Sequence, residues 1–158
     1  MVSSARANTA PLEASQSRSN HDDPHGTVEH LNPSELHGNP SFANVVSVSS
    51  SVETVYVGGQ VATTASGEIV GKGDIAAQTE QILRNLETAL AAAGAELGQV
   101  IKWTIYVVED QPLGPAFAVF QRAWSNRPNP PLITFAKVSA LAHPDFLAEI
   151  EAVAVVPE

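Results

Sequence analysis

Residues 74–108 read DIAAQTEQILRNLETALAAAGAELGQVIKWTIYVV, and their hydrophobic period changes once. Over 74–93, Ile75, Ile82, Leu86, Ala89, Leu90 and Ala93 recur at helical spacing and form one apolar stripe. Gln78, Gln81, Arg84 and Glu87 fall on the other faces. Asp74 is placed to cap the start by accepting a backbone N–H. Gly94 supplies the left-handed residue that follows a helix end. Over 99–108 (QVIKWTIYVV) β-branched and aromatic residues take over, which predicts a strand. Glu109-Asp110-Gln111-Pro112 stops it. An amphipathic helix running straight into a strand needs a sheet to lie on.

Towards the C-terminus a second helix is predicted at 114–125, with Phe117, Phe120 and Trp124 spaced for burial. Pro115 suits its first turn, where a missing N–H costs little. The proline-rich 126–131 is a stiff connection, followed by strands at 132–139 (LITFAKVS) and 147–156 (LAEIEAVAVV). His143-Pro144-Asp145 lies in the loop between them. Towards the N-terminus a strand is predicted at 52–63, interrupted by Gly58-Gly59, a pair that suggests a bulge or a close approach to the backbone. Ser66-Gly67-Glu68 predicts a hairpin turn before a short strand at Ile69-Val70, and 43–50 an edge strand. Gly71-Lys72-Gly73-Asp74 lacks the spacing of a phosphate loop and reads as the turn into the first helix. Residues 1–39 read as a disordered or extended tail, with 27–40 transitional, and 40–158 as one folded domain. The order β-β-(β)-α-β-α-β-β predicts an α+β domain: one mixed sheet with two helices on one face. Two helices do not cover both faces, and the uncovered one is expected to pack against other copies of the chain.

Eight lysines and arginines stand against 17 acids in 158 residues, a net charge of −9. Such a surface repels phosphate, so neither nucleic acid nor an anionic membrane is an expected partner. No apolar run is long enough to span a bilayer, and the N-terminus has no apolar signal core, so a cytoplasmic protein is expected. Without cysteine there is no thiolate chemistry and no disulfide. His21, His25, His30 and His37 cluster within the tail, but Pro24 and the polar composition oppose a helix that would converge them. No metal and no cofactor are expected.

Several segments, taken in order, resemble the Rid family, the YjgF-like reactive-intermediate deaminases. They are Tyr56-Val57-Gly58-Gly59-Gln60, Gly67-Glu68-Ile69-Val70, Gln78-Thr79 with Asn85-Leu86, Ala92-Ala93-Gly94-Ala95, Val100-Ile101-Lys102, Pro130-Pro131 and Glu149-Ile150-Glu151-Ala152. The resemblance spans about 40–156. It implies a chorismate-mutase-like fold and a homotrimer with sites in the clefts between subunits. It also implies hydrolysis of 2-aminoacrylate and related enamines or imines to 2-keto acids and ammonia. The family's carboxylate-clamping arginine falls at Ile133, its serine before Gly-Gln at Gly58, its tyrosine at Phe42 and its asparagine at Phe117. The glutamate that positions water falls at Glu149 and is retained.

An apolar Ile133 cannot clamp a carboxylate, so an altered or less anionic substrate is expected. Glu149, between Ala148 and Ile150, should be partly desolvated and suited to acid/base work; its bland alternative is an intersubunit charge partner. Lys137 shares a strand face with Ile133 and Phe135; it either replaces the lost cation, acts as an amine nucleophile, or is simply solvated. Gly58, Gly59 and Gln60 either offer polar groups to a ligand oxygen or serve only the bulge. Phe42, Trp103, Phe117 and Phe135 either line an apolar pocket or pack as core. His143 either shuttles protons near Glu149 or is a surface residue bonded to Asp145. The reading that follows is a small-molecule enzyme; its alternative is a non-catalytic metabolite-binding trimer.

Overall fold

The computed structural model describes residues 26–34, 36, 43–49, 51–124, 127 and 129–157. Strands β1 (Thr27–Leu31) and β2 (Val45–Ser49) form an antiparallel ribbon. Strands β3 (Val52–Gln60), β4 (Val100–Val108), β5 (Leu132–Val138) and β6 (Ala148–Pro157) form a second sheet, in the order β3-β6-β4-β5. Only β4 and β5 run parallel, joined through the helix α2 (Leu113–Trp124). Helix α1 (Ile75–Ala92) links β3 to β4. The α+β class and a mixed sheet with two helices are as the sequence implied, but the strand expected at 43–50 is not an edge of that sheet: Val45–Ser49 pairs with Thr27–Leu31 in the separate ribbon.

Helix α1 begins and ends where its residues dictate. The Asp74 carboxylate accepts the Ala76 and Ala77 N–H groups at 3.0 and 3.1 Å. At the other end Gly94 sits at φ 70°. The Gly94 N–H reaches the Ala91 carbonyl and the Ala95 N–H the Leu90 carbonyl, which completes a Schellman closure. The buried stripe is Ile75, Ile82, Leu83, Leu86 and Leu90. Each such side chain contributes about 1.5–3 kcal/mol over leaving it in water.

The sheet residues beneath it alternate strictly. Val55 and Val57 of β3, Trp103 and Val107 of β4, and Ala148, Ile150, Ala152 and Ala154 of β6 are buried on the helix face. Their neighbours Tyr56, Thr104, Tyr106, Glu149, Glu151 and Val153 point to the opposite face. Tyr56 is 78% exposed there. Among the described residues no element is laid over this face as the helices are over the other, as the two-helix count implied.

Three local differences from the sequence reading have physical causes. Phe117 was expected in the buried stripe of the second helix but is 51% exposed. The inward residues are Ala116, Val119, Phe120, Ala123 and Trp124, which puts Phe117 just outside the stripe. Ile69 makes a single bridge to Thr63 rather than a strand, because Gly67 at φ 85° closes a tight turn directly before it. Within the N-terminal segment, Thr27–Leu31 is extended and pairs with β2. His30 Nδ1 donates to the Pro130 carbonyl at 2.9 Å and the Ala43 N–H to the Pro131 carbonyl at 3.0 Å. These bonds hold the ribbon against the entry to β5. His21, His25 and His37 lie outside the described residues.

Gln78 anchors α1 to the loop before β6. Its side chain is fully buried; Nε2 donates to the Asp145 carbonyl at 2.7 Å and the Gly71 carbonyl at 3.2 Å, while Oε1 accepts the Leu147 N–H at 2.9 Å. Gln78→Leu should leave those three backbone groups unpaired in a dry site and cost about 2–4 kcal/mol. Urea unfolding of the two proteins measures the difference.

Candidate functional site

The glycine pair performs the task its position suggested. Val57 pairs with Ala152 but Gln60 with Ile150, so two glycines face one residue of β6. Gln60 Nε2 donates back to the Gly58 carbonyl at 3.1 Å and closes the bulge. The side chain of Glu149 lies directly on Gly59: a Cβ built there would overlap the carboxylate, with Cδ 2.7 Å and Cγ 2.9 Å away. A residue other than glycine at 59 would therefore evict the Glu149 carboxyl group. Glu149 is half-buried on the uncovered face, directly across from Tyr106 of β4. It combines a proton acceptor with partial shelter from water, which is the combination acid/base chemistry requires.

Two recesses flank this face. A shallow one of about 240 Å³ lies between β3, β6 and β4 and is lined by Tyr56, Gly58, Lys102, Thr104, Glu151 and Val153. A larger cleft of about 530 Å³ lies along β5, lined by Ala43, Asn44, Lys102, Leu132, Ile133 and Thr134, with Leu36 at its rim. Ile133 thus lines an apolar cleft at the outer strand of the sheet and also packs against the core. Phe42 lies outside the described residues; its neighbour Ala43 is in the wall of this cleft.

The other candidates separate. Ile133, Phe135 and Lys137 pair with Trp103, Ile105 and Val107 and share the helix face. Glu149 is on the opposite face. Three residues along β4 and two strand spacings divide Glu149 from Ile133, roughly 10 Å in each direction. Phe135 is 46% exposed and Lys137 is exposed, and neither lines the cleft. Of the two roles open to Trp103, the structure shows packing. The ring is fully buried, with Phe120 edge-on at 5.6 Å and Trp124 at 6.0 Å. His143 is exposed, and its Nδ1 accepts the Asp145 N–H at 3.1 Å. Among the described residues no three His, Asp or Glu side chains converge as metal ligands, and no helix is long and apolar enough to cross a membrane.

The family model described as Endoribonuclease L-PSP matches residues 39–156, which includes the whole four-stranded sheet and both helices. The chain belongs to this family, the YjgF/RutC/Rid family. The Rid protein YyfB of Yersinia pestis, of unknown function, superposes with a TM-score of 0.71 at 37% identity, over 80% of this chain and 97% of that one. A RutC family protein of Pyrococcus horikoshii is 37% identical over 63% of this chain and 77% of its own. A 2-iminobutanoate/2-iminopropanoate deaminase of Rattus norvegicus is 30% identical over 65% of this chain and 72% of its own. The chorismate-mutase-like fold expected from the resemblance is that of these Rid-family neighbours.

Sequence reasoning missed Lys102 and Thr134 in the walls. A lysine in a strand reads as a solvated face, and which strand lies beside it depends on the parallel β4–β5 register, which no local pattern encodes. The loop beside the site carries one perturbed group. Lys72 Nζ stands 2.8 Å from Asp145. The Lys72 hydrogen bond above all, opposed by desolvation and helped by the charges of Lys72 and His143, holds the Asp145 carboxyl below its ordinary 3.8. A lowered carboxylate contributes stability above its unfolded value and loses it as pH falls through the folded value. Lys72→Met should raise the Asp145 pKa towards 3.8, as followed by carboxyl NMR titration.

Proposed function

We propose that this Rid-family chain is a small-molecule enzyme that hydrolyses or tautomerises a reactive enamine or imine, with Glu149 as the acid/base group. The observation that carries the reading is the Glu149 carboxyl group seated on Gly59 at the bulge. In hydrolysis Glu149 takes a proton from water as the water oxygen bonds to the C=N carbon. The proton passes to nitrogen and gives a carbinolamine; the same carboxyl group then moves the hydroxyl proton to nitrogen as the C–N bond breaks, and ammonia leaves a carbonyl compound. Water is the only co-reactant. Tautomerisation needs the same group to move one proton between carbon and nitrogen. Gly59 lies against the carboxyl group within the bulge that Gln60 closes on Gly58, and Tyr106 stands across from it. The likeness to the rat iminobutanoate/iminopropanoate deaminase supports the reaction class.

The site is proposed to form between subunits of a homotrimer. Glu149 and Ile133 lie on different sheet faces, two strand spacings apart, so a ligand small enough for this chemistry meets both only when a second copy brings its own half. The uncovered sheet face, with Tyr56 standing out from it, offers the surface for that assembly. The acidic charge supports an enzyme without nucleic-acid or anionic-membrane partners, and the reading places it in the cytoplasm. A second reading, a non-catalytic metabolite-binding trimer, is favoured by one observation: the cleft wall at Ile133 is apolar where the family's clamp stands. On that reading Ile133, with Leu132 and Ala43 beside it in the cleft wall, selects an apolar ligand.

Glu149→Gln keeps the size of the side chain and removes the proton acceptor. Stopped-flow measurement of imine decay should show the rate constant falling about 10²–10⁴-fold. An unchanged rate would overturn the enzyme reading, and ligand binding without turnover would establish the second. Gly59→Ala should give a similar loss with the fold intact by circular dichroism, since it displaces the same carboxyl group.

A further inference from the structure

Tyr106 of β4 and Glu149 of β6 are register partners, and both side chains stand half-buried on the uncovered face. The neighbouring rung on that face, Thr104 with Glu151, lines the shallow recess. Side chains of directly opposed residues start about 4.5–5.5 Å apart, close enough for a phenol to reach a carboxylate. Yet neither group has a hydrogen-bond partner among the described residues. Gly59 supplies the reason. The Glu149 carboxyl group leans onto β3, which lies on the far side of β6 from β4. It thus turns away from Tyr106, and the donor and the acceptor straddle β6.

A sheltered tyrosine ordinarily finds a partner for its hydroxyl, because a phenol taken from water without one loses hydrogen bonding. Two such groups side by side that do not satisfy each other suit a guest that bonds both. An imine with its attacking water is such a guest: the water gives a proton to the carboxylate, and the nitrogen accepts from the phenol. We infer that the Tyr106 hydroxyl donates a hydrogen bond to the C=N nitrogen of the substrate while Glu149 acts on the water. The inference rests on the enzyme reading of Glu149 and adds the group that holds the nitrogen. No bond of the phenol breaks, and the proton that reaches nitrogen is the one Glu149 took from water. The hydrogen bond acts through electrostatics. Electron density moves onto nitrogen as the water oxygen bonds to carbon, so the donor is held more strongly in the transition state than in the bound imine. The placement also sets a direction, with nitrogen towards β4 and water towards β3. Tyr56 does not compete for this role, since it pairs with Val153, four residues along β6 from Glu149.

Tyr106→Phe keeps the ring and removes the donor. With 2-iminobutanoate generated in place by an amino-acid oxidase, kcat should fall about 100-fold, as for the loss of one transition-state donor, and KM should stay within about twofold. Circular dichroism and size-exclusion elution should match those of the wild type. An unchanged kcat would overturn the inference, as would a loss confined to KM. A second measurement leaves residue 106 intact. The chain has two tyrosines, Tyr56 and Tyr106, so 13C labelling at Cζ gives two signals that Tyr56→Phe assigns. The oxime of 2-oxobutanoate presents a C=N nitrogen and hydrolyses slowly. Its addition to the full chain should move the Tyr106 signal and leave that of Tyr56 in place; an oxime that binds without moving the Tyr106 signal would overturn the inference. The two readings fail separately. A rate that falls in Glu149→Gln but not in Tyr106→Phe removes the nitrogen anchor and leaves the enzyme reading standing, whereas wild-type rates in both variants remove the enzyme reading itself.

Discussion

A four-stranded sheet has two faces, and this chain has helices for one. Everything else about the molecule follows from how the strands answer that imbalance. On β6 the alternation Ala148, Ile150, Ala152, Ala154 buries small and branched side chains under α1, and small residues there let the helix approach closely. The same alternation sends Glu149, Glu151 and Val153 to the other side. An acid in the middle of a strand is therefore not an anomaly of the core but a consequence of period two. The helices stabilise one face and leave free the face that carries Glu149.

The bulge converts that exposed position into a defined one. In a regular ladder a residue of β3 would present its own side chain beside Glu149, and the carboxyl group would be pushed out into water. Two glycines against one residue of β6 remove that side chain and let the carboxyl group settle onto backbone. The requirement is steric and falls on Gly59; Gly58 has open space where a Cβ would stand. The two glycines are therefore unequal: the first lines a recess, and the second makes room for an acid.

What the sequence revealed and what it hid divide along the same boundary. The first helix was legible to the residue because its determinants are local: Asp74 accepting N–H groups two and three positions on, Gly94 in the left-handed region, an apolar stripe between. The bulge was legible because glycine inside a strand has few other uses. The likeness to Rid proteins placed Glu149 and the fold. Phe117 was misplaced because a stripe of three aromatics and a stripe shifted by one position look alike until Val119 and Ala123 are seen beneath the helix. Strand β1 was hidden because TVEHL has no pattern of its own, and its partner β2 lies some fifteen residues away, beyond Asn32-Pro33. Lys102 was hidden because its neighbourhood is created by the parallel pairing with β5, a contact between residues thirty apart.

The relation between Lys102 and Ile133 bears on how an isoleucine at the position expected for the family's arginine is read. Taken position by position, an isoleucine where the family's resemblance places a clamp removes the anion site. The β4–β5 register shows that Lys102 stands one step before Trp103, the partner of Ile133, and on the opposite face, so it reaches the cleft from the side that Ile133 cannot. The wall that Ile133 closes from the helix face is thus bordered from the uncovered face by Lys102, the face that also carries Glu149, because the alternation of one strand places successive residues on opposite sides.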